Sequence, residues 1–177
     1  RTLLQALAGL PSVVAGLFIY SMLIVSGWSS QVGLMASLAL IPLMLPTIAR
    51  VAEEALRLVP SELRNGALAL GAPSYKAFFM VTLPAAKSGI VTAVLLGVAR
   101  IIGETAPILL VSGGADALNF NPTSGPMGSL PFYIWKAFLT GGTEESYTRA
   151  WGAMLILLIL IVSLFSLARY FSGRKVG

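Results

Sequence analysis

The chain has 177 residues with 12 Lys and Arg against 7 Asp and Glu, and 56% of it is apolar while only 11% is charged. With a mean hydropathy of +0.86, that balance belongs to a membrane protein. It contains no Cys and no His, which excludes disulfides, thiol chemistry, imidazole-ligated metals and every triad built on histidine, and leaves only an all-carboxylate site to a metal; no catalytic residue, metal site or cofactor is expected. The net charge of +5 reads as membrane orientation and contact with lipid; no motif speaks for nucleic acid.

The chain starts at Arg1, and its first apolar run is longer than a signal-peptide core, so no targeting segment is expected and an amino-terminal truncation is. No Asp, Glu, Lys or Arg occurs from Thr2 to Ala49. A bilayer core takes roughly 20 helical residues, so this interval holds two spans. They are expected over Leu3 to Val25 and Leu34 to Val51, separated by the polar stretch Ser26 to Gly33, with Trp28 at a membrane–water interface. Pro11, Pro42 and Pro46 predict kinks, which membrane helices tolerate when neighbours satisfy the freed carbonyls.

From Arg50 to Lys87 charge mixes with apolar residues at helical spacing, the pattern of an amphipathic segment that does not span. Its apolar pattern from Glu62 ends at Gly71, which suits the left-handed position after a helix, and Pro73 suits the first turn of the next one. The second arm presents Tyr75, Phe78 and Phe79, an aromatic cluster shaped either to dock into a partner's groove or to lie on lipid.

A third span is expected over Ser88 to Val111. The stretch SGGADALNFNPTSGPMGS then reads as loop and LPFYIWKAF as a short interfacial segment. The last span, Ala150 to Ala168, ends at Arg169. The predicted fold is therefore all-α, a polytopic transmembrane bundle with four spans in one domain over residues 1–177. Arg1, Arg50, Arg57, Arg64, Lys76, Lys87, Arg169, Arg174 and Lys175 fall on one face and only Lys136 and Arg149 on the other. The positive-inside rule makes both termini and residues 52–87 cytoplasmic and 112–148 external.

Inside the third span stand Arg100 and Glu104, four residues apart and so neighbours on one face of a continuous helix, among the small residues Ala93, Gly97, Gly103 and Pro107. Two readings follow. The pair packs helices as a buried ion pair, or Arg100 offers its planar fork to an anion while Glu104 orients it and offsets its charge. Thr105 adds a hydroxyl to such a pathway or bonds its own backbone. No GxxxxGK[ST] stretch exists, so energy for active transport has to come from a partner.

Gly71 followed by Val81-Thr82-Leu83-Pro84 resembles the cytoplasmic signature of ABC importer permeases: Glu-Ala-Ala, three residues, Gly, nine residues, Ile, any residue, Leu-Pro. Asn65-Gly66-Ala67 stand for Glu-Ala-Ala, and Val81 stands for Ile. The stretches LAGLPSVVAGLF, ALALGAP and ARIIGETAPIL look like the phosphate importer permeases, the PstA and PstC pair, and SLPFYIW with the acidic stretch after it looks more like PstA. That resemblance covers nearly the whole chain and implies a MetI-like core in a bacterial inner membrane. It also implies a coupling helix that docks on an ABC ATPase dimer through Asn65, Gly66, Ala67, Gly71, Tyr75, Phe78, Phe79, Leu83 and Pro84. A second, PstC-like permease subunit and an external phosphate-binding protein complete the implied machine. Two rivals remain, a permease for another oxyanion such as molybdate or sulfate, and a passive channel or structural membrane subunit.

Overall fold

Proline and glycine set the helix boundaries. The computed structural model describes residues 2–173, and among these it contains nine helices and no strand. They are α1 (Thr2–Ala8), α2 (Ser12–Val25), α3 (Gly33–Arg57), α4 (Ser61–Ala69), α5 (Ser74–Ala85), α6 (Lys87–Ile102), α7 (Ala106–Val111), α8 (Leu130–Thr140) and α9 (Glu144–Gly173). Two of them, α3 and the Glu144–Tyr170 part of α9, are long and apolar enough to cross a bilayer alone; the bent pairs α1–α2 and α5–α6 raise the number to as many as four. The all-helical membrane bundle expected from sequence is the one found.

The helix expected over 3–25 is instead two helices bent by 100°. Pro11 is extended, with φ −60° and ψ 134°, and it has no N–H with which to continue the ladder of α1. The kink expected at Pro11 is thus a full break, and α1 turns aside to lie against the charged end of α3, bordering with Arg50 and Glu54 a cavity of about 350 Å³. By contrast α3 runs as one helix through Pro42 and Pro46 and continues to Arg57, beyond the span expected over 34–51.

The span expected over 88–111 is also broken. Pro107 cannot donate to the carbonyl four residues back, that of Gly103, so α6 stops at Ile102 and α7 starts at Ala106. The span expected over 150–168 is longer than expected at both ends. LPFYIWKAF forms most of α8, capped where Ser129 Oγ accepts from the Phe132 N–H. Helix α8 packs on α9, the Phe138 ring meeting Trp151 edge-on at 5.8 Å.

Contacts between helices sort the chain into two ends. At one, Ala55 of α3 meets Gly89 of α6, and the Thr92 hydroxyl donates to the Ala168 carbonyl of α9 at 3.3 Å. At the other, Gln31 Nε2 donates to the Leu110 carbonyl at 2.9 Å, the Leu34 N–H to Pro122 and the Met127 N–H to Ser112. Helix α6 therefore runs antiparallel to both α3 and α9. The segment 52–87 and Arg169 share one end, and the loop 112–129 lies at the other; Arg1, Arg174 and Lys175 lie outside the described residues.

The core lies toward the loop end, where Val32, Met35, Ala36 and Ala39 of the α3 approach meet Ile108 and Val111 of α7. Burial there is made possible by Gly16 of α2. A Cβ at that position would stand 2.7 Å from Pro107 Cα, a backbone atom that cannot yield. Gly16→Ala is therefore expected to overpack the α2–α7 contact and cost about 1–3 kcal/mol, read as a lower unfolding midpoint in detergent. Gly152→Ala, at a helical glycine with nothing within 4 Å, is expected to leave that midpoint unchanged or slightly raised.

Candidate functional site

Gly97 sets how closely α3 and α6 approach. A Cβ there would lie 2.5 Å from Ile48 Cγ1 and 3.1 Å from Met44 Cγ, so the two helices close on each other where α6 has no side chain. Just beyond that contact, Arg100 Nη1 donates to Thr47 Oγ1 at 2.9 Å. Arg100 is in the last turn of α6, where the helix dipole favours a cation. Its side chain is exposed on the face of this single chain, and among the described residues it has no ion pair.

The Arg100–Glu104 pair expected from the four-residue spacing does not form. That spacing makes neighbours only while a helix continues, and α6 has ended two residues before Glu104. The Glu104 N–H closes the end of α6 by donating to the Ile101 carbonyl at 3.1 Å. Its half-buried side chain makes no hydrogen bond or ion pair among the described residues. Thr105 is the residue ahead of α7 and its carbonyl accepts from the Leu109 N–H at 3.0 Å. The Thr105 hydroxyl neither caps α7 nor bonds the backbone among the described residues. The ion-pair form of both sequence readings is thus corrected: the guanidinium is held by a neutral hydroxyl 53 residues earlier.

Thr47 is the residue that sequence reasoning missed, because nothing in the local pattern says which side chain of α3 will face position 100. The break itself had a visible signal in Pro107. Beside it lies a cavity of about 240 Å³ bounded by Leu40, Ile102, Ile108, Ser129 and Leu157 among others. Its lining is almost wholly apolar, so it offers an anion nothing.

The residues expected in the coupling segment gather at the opposite site, the charged end. Helix α4 closes with the Gly71 N–H bonded to Leu68 and the Ala72 N–H bonded to Ala67, and Gly71 takes φ +84°, the left-handed position that glycine adopts without steric cost. Pro73 stands just ahead of α5 instead of within its first turn. Asn65 and Gly66 are exposed and Ala67 is half-buried. Tyr75, Phe78, Phe79 and Met80 project from α5, with the two Phe rings edge to face at 5.1 Å. At the end of α5, Leu83 and Pro84 border an open apolar groove of about 500 Å³ with Ile90 and Val91. The structure thus brings the residues expected to couple onto one bent hairpin and keeps them apart from Arg100, Glu104 and Thr105.

Residues 1–176 match the family described as "Binding-protein-dependent transport system inner membrane component". The chain is similar to the phosphate transport system permease protein PstA of Mycobacterium leprae (strain TN), 43% identical over 176 residues, which is 98% of this chain and 58% of that protein. It is 36% identical over 180 residues to PstA of Yersinia pestis, covering 99% of this chain and 58% of the relative. A probable PstA of Methanocaldococcus jannaschii is 34% identical over 171 residues, covering 96% and 60%. The chain therefore spans somewhat over half the length of the curated relatives it matches.

The hairpin geometry carries its own test. Gly71→Val forces a β-branched residue to φ +84°, a strain on the order of 1–3 kcal/mol. Limited proteolysis is expected to cut between residues 61 and 85 faster in that variant. Gly66→Ala, where a Cβ meets open space, is expected to cut at the parental rate.

Proposed function

The chain belongs to the family of inner membrane components of binding-protein-dependent transport systems, and from that premise we propose that it is the PstA-type permease segment of an ATP-driven phosphate importer. It forms part of the transmembrane pathway in a bacterial inner membrane. Phosphate is the substrate class of the permeases it resembles, the phosphate transport system proteins PstA. The observation that carries the reading is Arg100, an arginine about half-way between Lys87 and Val111, exposed on the face of the chain and held by one neutral hydrogen bond.

A cation at that depth facing lipid costs roughly 2.5–3.5 kcal/mol even on the mildest scale, so such residues face water, a partner or a substrate. A guanidinium without a carboxylate keeps its full charge and most of its N–H fork for an anion. The face on which it lies is open in this chain and meets the second, PstC-like permease subunit, so the anion passes between the two. Glu104 and Thr105 flank the pathway at the helix break. Irregular backbone at membrane depth is tolerated where it lines such a cavity.

The α4–α5 hairpin, with its exposed aromatic side chains, docks on the ATPase dimer through Asn65, Gly66, Ala67, Gly71, Tyr75, Phe78, Phe79, Leu83 and Pro84. That end carries Arg50, Arg57, Arg64, Lys76, Lys87 and Arg169 and is cytoplasmic. The cations of the other end each have a carboxylate partner, Lys136 on Asp116 at 2.6 Å and Arg149 on Glu145. The external phosphate-binding protein meets the chain on that side, over residues 112–148.

Two measurements test this. Cysteines placed at Ser74 and at Thr123 are expected to label from opposite sides of the membrane, and labelling from one side sinks the topology. Arg100→Gln is expected to abolish phosphate uptake with the assembled complex retained. Arg100→Lys, which keeps the charge without the planar fork, is expected to be strongly impaired. Normal uptake by Arg100→Gln removes the pathway reading.

A further inference from the structure

The hydrogen bond between Arg100 and Thr47 has a direction. A guanidinium carries five N–H donors and no acceptor, so in the 2.9 Å contact the Thr47 oxygen accepts. Its own O–H hydrogen is then directed elsewhere.

In a helix the ordinary destination is the carbonyl four residues back. The hydroxyls of Ser37, Thr92, Thr140 and Thr148 all take it, donating to Gly33, Ser88, Lys136 and Glu144 at 2.9 to 3.1 Å. Thr47 does not: among the described residues its hydroxyl makes no bond to a backbone carbonyl. Two side chains from two helices therefore stand in contact, one supplying a positive fork and the other a free O–H, with no carboxylate hydrogen-bonded to either among the described residues.

We propose that Thr47 is a second anion-binding side chain of the pathway, which holds the Arg100 guanidinium in place and donates its hydroxyl hydrogen to the same tetrahedral oxyanion. This rests on the reading of Arg100 as a pathway residue. The free guanidinium edge takes two oxygens of the oxyanion and the hydroxyl takes a third. The close approach at Gly97 is what puts Thr47 within reach, since any larger side chain there meets Ile48.

The test measures phosphate uptake at saturating binding protein in proteoliposomes holding the assembled transporter, each rate divided by the amount of complex. Thr47→Val keeps the shape and removes the hydroxyl, and a loss of about tenfold is expected, the scale of one hydrogen bond to a charged group. Thr47→Ser keeps the hydroxyl and is expected to stay within about twofold of the parent, a rescue that a packing role for the methyl group does not predict. Should Thr47→Val assemble poorly, Thr47→Ala against Thr47→Ser gives the same comparison. Parental uptake by Thr47→Val with none by Arg100→Gln overturns the proposal and leaves the Arg100 reading standing. Equal losses in the valine and serine variants also overturn it. Normal uptake by Arg100→Gln removes the reading on which both depend.

Discussion

A guanidinium that has no carboxylate partner among the described residues, placed about half-way between Lys87 and Val111, constrains everything around it. Its charge is costly in hydrocarbon, so the face it occupies has to be turned toward water, a partner or a ligand. Three features of the chain hold it there. Pro107 ends α6 at Ile102, which puts Arg100 in a last helical turn where the backbone dipole is favourable and takes Glu104 off its face. Gly97 lets α3 come close. Thr47 then accepts one of the five donors and leaves the rest. A salt bridge would have neutralised the site; a hydroxyl fixes the arginine's position and leaves its charge available.

The same punctuation shapes the rest of the molecule. The 100° turn ahead of α2 and the 67° bend between α5 and α6 each occur at a proline-containing or short unwound stretch, and each moves a helix out of line with its neighbour. The result is a bundle whose crossing helices are few and whose charged end carries two appended pieces, α1 and the α4–α5 hairpin. The hairpin closed by the left-handed Gly71 is joined through the single residue Ala86 to α6, the helix that bears Arg100.

Much of this was legible in the sequence. The run without charge from Thr2 to Ala49, the mixed segment from Arg50 to Lys87 and the Gly, Pro and Asn-rich loop each follow from solvation physics acting on composition, and the helices fall accordingly. Gly71 was legible because a left-handed turn selects glycine. The Arg100–Glu104 pair was misread because the four-residue rule presumes an unbroken helix, although Pro107 was there to end it. Pro11, Pro42 and Pro46 all predict kinks, but Pro11 ends α1 outright while α3 continues through its two prolines. The outcome differs because α3 has neighbours along its length, whereas α1 is a single short helix that packs elsewhere. Thr47 was beyond reach: its role depends on a tertiary contact, which no local period encodes.

On the proposed reading Arg100 faces an aqueous anion path and not lipid or a sealed interface. Because the segment has no cysteine of its own, a single thiol at Gly103, exposed at the break with nothing within 4 Å of its Cβ position, reports directly on that environment. In the assembled transporter, charged, membrane-impermeant thiol reagents are expected to label this cysteine, and phosphate under turnover conditions is expected to slow the labelling. Labelling by lipid-soluble reagents alone, indifferent to phosphate, would contradict that reading.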